Sequence, residues 1–316
     1  MRRREFLGSL AVAGFAAAAS RLGRDNVCFI TDEVSRDLRV ALRFAAEFGV
    51  RQGEIRNVDG KYCFRHEPQK LREIRGLLRE HGVRLAVLST PVLKCVLPGS
   101  RLTPGAIKEI QLAQGDFPVA PEEQFARQME FLSKAIEAAQ ILETDKLRIF
   151  SYWRVENREE EQPRIIEGLH RVTELAAKAK IRLCIENEGA CNLADCAETA
   201  AVLQKVRSPY LGMAWDVVNA VSTGEKPYPD GFSRLDKSRI WHLHVKDYRV
   251  NPETGRRQIC AVGDGITPYA EIFKALGAAG YQGALSMETH FSLNGSREAA
   301  SRRSMEGLLK VVDGLT

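Results

Sequence analysis

Eight short apolar runs, separated by segments of helical length, constrain this sequence more than any other feature. They read VCFIT from Val27, RQGEI from Arg51, VRLAVLST from Val83, KLRIFSYW from Lys146, IRLCIENE from Ile181, YLGMAWD from Tyr210, IWHLHVKD from Ile240 and GALSMET from Gly283. Strands of continuous apolar character are buried on both faces, which implies parallel pairing with helices over the sheet. Between them, Pro68 to His81, Glu122 to Leu142, Pro163 to Lys180 and Pro268 to Ala279 place Leu, Ile or Ala at three- and four-residue spacing. Thr267-Pro268 reads as an N-cap followed by Pro in the first helical position. The hand-over from helix to strand recurs as EFGVRQGEI, EHGVRLAVL, AKAKIRLCI and AAGYQGALS, a weak internal repeat of one βα unit. The expected fold is therefore α/β, a single (β/α)8 TIM barrel over residues 21–316, at roughly 37 residues per unit. A doubly wound sheet is the rival, but no GxGxxG follows the first run and no P-loop lysine motif occurs, so a nucleotide-phosphate cradle is missing.

Residues 1–20, MRRREFLGSLAVAGFAAAAS, stand apart from this pattern. A basic start precedes a modest apolar run ending in small residues, as in an export signal. Arg3-Arg4-Glu5-Phe6-Leu7 resembles the twin-arginine pattern, which implies the Tat export machinery as a partner and a periplasmic or secreted location. About 14 apolar residues are short for a bilayer span, and no other stretch approaches the length needed, so no stable membrane span is expected. Lys plus Arg is 46 against 41 Asp plus Glu, and part of that excess falls in the first 20 residues. The near-balanced body argues against nucleic acid as a partner. The seven cysteines contain no CxxC. Cys28, Cys95 and Cys184 sit in or beside apolar runs as small buried thiols, while Cys191 and Cys196 are near enough in sequence to pair. Homo-oligomer formation is left open.

Barrel enzymes keep their chemistry at the C-terminal ends of the strands. Here the last four runs end in Glu186, Asp216, His244 and Glu288, about one βα unit apart. Three carboxylates and one imidazole at one end of a barrel form a hard O/N site for one divalent metal ion, suited to Mn2+, Mg2+ or Co2+ and less selective for Zn2+. His242 lies two residues before His244 on the same side of its strand, as a deeper packing or supporting group. The first half offers Glu33, Glu54, His66, Trp153 and Arg154. Glu54, ending the second run, is placed to bond sugar hydroxyls, and Trp153 with Arg154, closing the fourth, to form an apolar wall and a clamp. Glu188 and Lys246 face the same end as substrate contacts or supports of the metal ligands. The Pro- and Gly-rich segment from Thr90 to Glu122 reads as an extended loop over the mouth.

At IENEG, WDVVN, HLHVKD and METH the chain resembles the xylose isomerase-like TIM barrels, and within them the sugar phosphate isomerase/epimerase group, which includes ketose 3-epimerases, hydroxypyruvate isomerases and inosose dehydratases. The resemblance implies metal ligation by Glu186, Asp216, His244 and Glu288, with Glu186 and Glu288 as catalytic acid and base on opposite faces of a sugar or polyol substrate. It implies chemistry through a metal-stabilised enediolate. The substrate-binding pattern departs from the ketose epimerases. Asn219 stands where they have His, Asn192 replaces a glutamate, and Arg249 comes one place early after Lys246 and Asp247. The resemblance thus implies a divalent-metal-dependent isomerase or epimerase, with a keto-inositol dehydratase or 3-keto-glycoside lyase as the alternative on the same site. A non-catalytic exported polyol-binding barrel is the alternative of another class. With six His in all, the chain lacks the ligands for the three zinc ions of an endonuclease IV.

Overall fold

The computed structural model describes residues 21–113 and 120–315; the export segment expected at 1–20 and residues 114–119 of the extended loop lie outside the described residues. Eight parallel strands close into a barrel: β1 (Val27–Ile30), β2 (Gln52–Ile55), β3 (Arg84–Ser89), β4 (Lys146–Ile149), β5 (Arg182–Glu186), β6 (Leu211–Asp216), β7 (Ile240–Val245) and β8 (Ala284–Met287), with β8 returning to β1. All eight coincide with the apolar runs. Around them lie α1 (Leu38–Phe48), α2 (Pro68–Glu80), α3 (Gln128–Leu142), α4 (Arg158–Lys178), α5 (Cys196–Lys205), α6 (Tyr269–Ala278) and α7 (Arg297–Asp313).

Along each strand, alternate residues point to opposite faces. The outward set is large and apolar: Phe29 on β1, Leu183 and Ile185 on β5, Leu243 and Val245 on β7, Leu285 and Met287 on β8 pack with the helices in one continuous core. The inward set is small or polar. Cys28, Ala86 and Ala284 form a buried cluster of their own, while Glu54, Glu186, Asp216, His242, His244 and Ser286 are buried polar residues. The hydrophobic stability therefore sits between sheet and helices, which leaves the barrel interior free to be built of charge and hydrogen bonds.

The helices depart from the sequence reading where caps and packing override periodicity. No long helix joins β6 to β7 among the described residues; short turns, including Val217–Ala220 and Phe232–Arg234, take its place. Trp215, facing outward from β6, stacks on Phe232 at 5.5 Å and covers that gap. Helix α4 starts five residues before Pro163, because Asn157 caps it and Glu159, Glu160 and Glu161 suit the positive end of its dipole. Helix α6 starts at Tyr269, so Pro268 stands at the cap and Thr267 donates its amide to Asp247 instead of capping. The stretch expected to be helical from Glu122 divides into Pro121–Gln124 and α3. The extended loop carries its own helix, Pro104–Leu112, capped by Thr103. All seven cysteines are buried free thiols, so Cys191 and Cys196 are not paired. Among the described residues no helix is long and apolar enough to cross a membrane.

Candidate active site

The C-terminal ends of β5 to β8 converge. Glu186 and Asp216 are the last residues of their strands, His244 is the last but one of β7, and Glu288 follows β8. One ligand atom from each lies within 4.8 Å of the others, and all four residues are buried. The His244 Nδ1 atom stands 3.2 Å from Glu186 Oε1, 3.8 Å from Glu288 Oε2 and 3.9 Å from Asp216 Oδ2. The Lys246 ammonium bridges Asp216 Oδ2 at 2.8 Å and Glu288 Oε2 at 2.9 Å. Asp216 Oδ2, fully buried, nevertheless accepts no aligned hydrogen bond. Three buried carboxylates and an imidazole with ligand atoms this close are the donor set of a divalent cation, so the residues present fit the metal that the sequence implies.

The charges are strongly coupled. Burial pushes the Asp216 carboxyl up to about 6, Lys246 pulling it back while Glu288 and Glu186 add to the push. Burial would also raise Glu288, but His290 and Lys246 outweigh it and hold this carboxyl well below its ordinary range. Glu186 is likewise lowered against burial, by His244 and Arg148, whose Nε lies 3.2 Å from Glu186 Oε2. Both glutamates are thus carboxylates at neutral pH, the form that binds cations or accepts a proton.

A cavity of about 680 Å³ opens above this cluster, with Glu186 and Glu288 in its wall. Its other polar lining comes from the first-half strand ends and from β8. Arg56, just after β2, pairs with Asp32 at 2.9 Å and with Glu33 at 2.7 Å. His290 lies 3.0 Å from Glu288 Oε1, and its amide donates to Glu33. This histidine has φ +51°, a left-handed conformation uncommon for a side-chain-bearing residue. Across the cavity, the Lys94 ammonium sits 4.3 Å from the Phe150 ring centre and 3.6 Å from Glu188. Asp247 lies behind, its carboxylate accepting the amides of Gly263, Gly265 and Thr267 and so fixing the loop after β7. A Cβ at Gly265 would fall 2.2 Å from that carboxylate, which leaves only glycine there.

The structure therefore brings together Glu186, Asp216, His244, Glu288 and Lys246, with Glu188 and Glu33 on the cavity wall, and places the other candidates elsewhere. Glu54 lies inside the barrel beneath His244 instead of at the mouth, fully buried and bonded to His242 at 2.8 Å and His244 at 3.2 Å. Asn219 donates toward Glu186 and to the Asn187 carbonyl, bracing the ligands from behind. Trp153 is buried in a bridge with Cys191 and does not line the cavity. Arg154 grips Glu198 with both terminal nitrogens, at 3.0 and 2.8 Å. Asn192 bonds the backbone of Ser151 and Trp153, Arg249 projects from an exposed hairpin, and His66 bonds the Val58 carbonyl. The sequence reading missed Asp32, Arg56, Lys94, Arg148 and His290. Only His290 carried a signal, as the last letter of METH.

Comparison with known proteins agrees with this architecture. Over 140 residues the chain is 26% identical to an inosose dehydratase of Geobacillus thermodenitrificans (strain NG80-2), a match spanning 40% of this chain and 46% of that relative, so less than half of the relative's length. Among solved structures, the IOLI protein with a bound zinc atom is similar with a TM-score of 0.70 at 15% identity, covering 92% of this chain and 99% of that one. A 3-keto-D-glucoside 4-epimerase from E. coli is similar with a TM-score of 0.64 at 13% identity, covering 90% and 98%. At these identities the structural likeness is one of fold. Residues 42–311 match the xylose isomerase-like TIM barrel family along most of the chain, and the protein belongs to that family.

Proposed function

We propose that the protein is a divalent-metal-dependent isomerase or epimerase of a sugar or polyol, which removes a proton from the carbon beside a carbonyl and returns it elsewhere. The observation that carries this reading is the placement of two ionised glutamates, Glu186 and Glu288, on the floor of one cavity beside Asp216 and His244. Those four residues would hold the ion, which when bound supplies Lewis-acid polarisation of a carbonyl and its neighbouring hydroxyl.

The chain's own groups divide the remaining work. Glu186 ends β5 and Glu288 follows β8, three places apart in the barrel order, so the two carboxylates approach a molecule in the cavity from different directions. The carboxylate that takes the proton becomes the acid that returns it on its own face, whereas return from the opposite face requires the second glutamate first to take up a proton from water. Lys246, held cationic by Asp216 and Glu288 against the effect of burial, keeps positive charge beside the reacting oxygens. Lys94 and Arg56 offer donors to hydroxyls farther out.

A dehydratase working on the same proton abstraction is the second reading, and His290 favours it. Glu288, 3.0 Å away, raises its affinity for a proton, and the ring lines the cavity where a departing hydroxyl would need a proton donor. Solvent-deuterium exchange on a panel of ketohexoses, keto-glucosides and inososes tests both. Exchange without loss of water supports isomerase or epimerase action, and exchange with loss of water supports the dehydratase. Intact ligand binding with no exchange on any of them means a non-catalytic polyol-binding barrel. Export by the Tat route is part of the same proposal and rests on residues 1–20. Arg3→Lys with Arg4→Lys should then retain precursor in the cytoplasm with the barrel intact, and unchanged export of that variant removes the Tat reading.

A further inference from the structure

Beneath the candidate metal centre, a single carboxylate gathers groups from three other strands. Glu54 on β2 accepts from Ser89 on β3, from Ser286 on β8 at 2.7 Å, and from the Nε2 atoms of His242 at 2.8 Å and His244 at 3.2 Å, both on β7. It is completely buried.

A carboxylate only accepts hydrogen bonds, and its roughly four lone-pair positions are matched in number here by two hydroxyls and two ring nitrogens. Four donors fill them. Both imidazoles must therefore carry their proton on Nε2, which leaves His242 Nδ1 bare and indeed without a partner. For His244 the same assignment matters more. Its Nδ1 faces Glu186, Asp216 and Glu288, and three carboxylates attract a proton onto that nitrogen. A proton there would block metal ligation, since ligation needs the lone pair.

We propose that Glu54 is the positioning residue of the centre: by accepting the Nε2 proton of His244 it holds that ring in the tautomer that turns a lone pair toward Glu186, Asp216 and Glu288. The inference rests on the reading of those four residues as ligands of one ion. The saturated carboxylate also explains why Glu54, His242 and His244, although close enough to form a second ligand group, are spoken for among themselves.

The test compares Glu54→Gln, Glu54→Asp and Ser286→Ala in the full chain. Zn2+ and Co2+ affinities are measured by competition with a chelating dye, and 15N spectra are taken of the histidine rings. Glutamine replaces half of the acceptor positions by donors, and aspartate withdraws the oxygens by one methylene. Each should lower affinity about 10- to 100-fold, the range for a lost carboxylate behind a ligating histidine. The His244 spectrum should change from Nε2-protonated to a mixture of tautomers. Ser286→Ala removes a donor from the oxygen that His244 does not use, and should leave affinity within about twofold. It controls for loosened packing, and Glu54→Asp carries the comparison should Glu54→Gln not fold. Wild-type affinity in both Glu54 variants, or an equal loss in Ser286→Ala, overturns the positioning role while the metal reading stands. Two ions per wild-type chain, one of them lost in the Glu54 variants, makes this cluster a metal site and overturns it as well. A wild type that binds no divalent ion overturns the metal reading and this inference together.

Discussion

The two halves of the barrel present opposite kinds of polar chemistry to one cavity. In the second half, β5 to β8 bring three carboxylates and one imidazole to one place, with a single ammonium, Lys246, shared between Asp216 and Glu288. The first half contributes Arg56, already matched to Asp32 and Glu33, and sends Lys94 to Glu188 and Arg148 to Glu186 across the cavity wall. Unmatched charge asks for something from outside the chain, whereas matched charge shapes and orients. On the proposed reading the second half holds a cation and moves protons, and the first fixes which molecule enters.

The largest effects should follow from breaking the unmatched set. Glu186→Gln and Glu288→Gln keep an oxygen ligand but remove a proton acceptor. Turnover should fall about 10²–10⁴-fold, with metal retained. Asp216→Asn should instead lose mainly metal. Metal content by mass spectrometry, measured beside deuterium exchange at the carbon next to the carbonyl, separates the two outcomes. Exchange near the wild-type rate in both glutamine variants would move the base elsewhere.

That division also explains what could be read from the sequence. The eight strands were legible because each presents an apolar outer face to the helices and recurs after a segment of helical length, and the four strand-end residues because their types recur at one βα interval. Glu54 misled by position. It is the third of four residues in β2, beside a register shift at Gly53/Glu54, and so points into the barrel below the mouth. Arg154 misled through the backbone: Tyr152 takes φ +63°, turning the chain after β4 so that Trp153 meets Cys191 and Arg154 reaches α5. Lys94 and Arg56 were invisible because a cation in a loop has no period, and its partner lies on another strand. The missing helix after β6 was hidden likewise, since its work falls to Trp215 stacking on Phe232.

Breaking a matched pair should cost stability before it costs chemistry. Asp32 and Glu33 are buried, and Arg56 is only 21% exposed. Arg56→Met strands two carboxylates with Asn57 and His290 as remaining partners. A loss of about 2–4 kcal/mol in urea unfolding is expected, somewhat below the figure for a fully enclosed pair. A loss under about 1 kcal/mol would mean that solvent screens the pair and that the wall is not prearranged.

Lys94 sharpens the comparison from the substrate's side. Its ammonium rests on the Phe150 ring and beside Glu188 without contact to the candidate ligands. Lys94→Met should raise KM about tenfold, the equivalent of one charged contact, with kcat within about threefold and metal content unchanged. A fall in kcat with unchanged KM would transfer Lys94 from the orienting half to the chemical one.

The smallest effect belongs to Arg154, which the structure sets behind the wall. Its fork on Glu198 ties the chain after β4 to the start of α5, where Glu198 also accepts the Ala194 amide. Arg154→Met should cost about 1–2 kcal/mol of stability, for a charged hydrogen-bonded pair that is partly exposed, and leave KM and kcat alone. The pH dependence has a fixed sign. Burial would raise the Glu198 carboxyl, but Arg154 overcomes this and lowers it from 4.5. A carboxyl depressed in the folded state binds fewer protons there than in the unfolded chain. Its contribution is therefore complete above about pH 4.5 and drains away as pH falls through the folded value. The stability difference between wild type and Arg154→Met should accordingly be flat near neutrality and narrow on acidification below that point. If the gap widens there, or if KM rises at neutral pH, Arg154 faces the substrate after all, and the first half of the barrel reaches farther around the cavity than its ion pairs indicate.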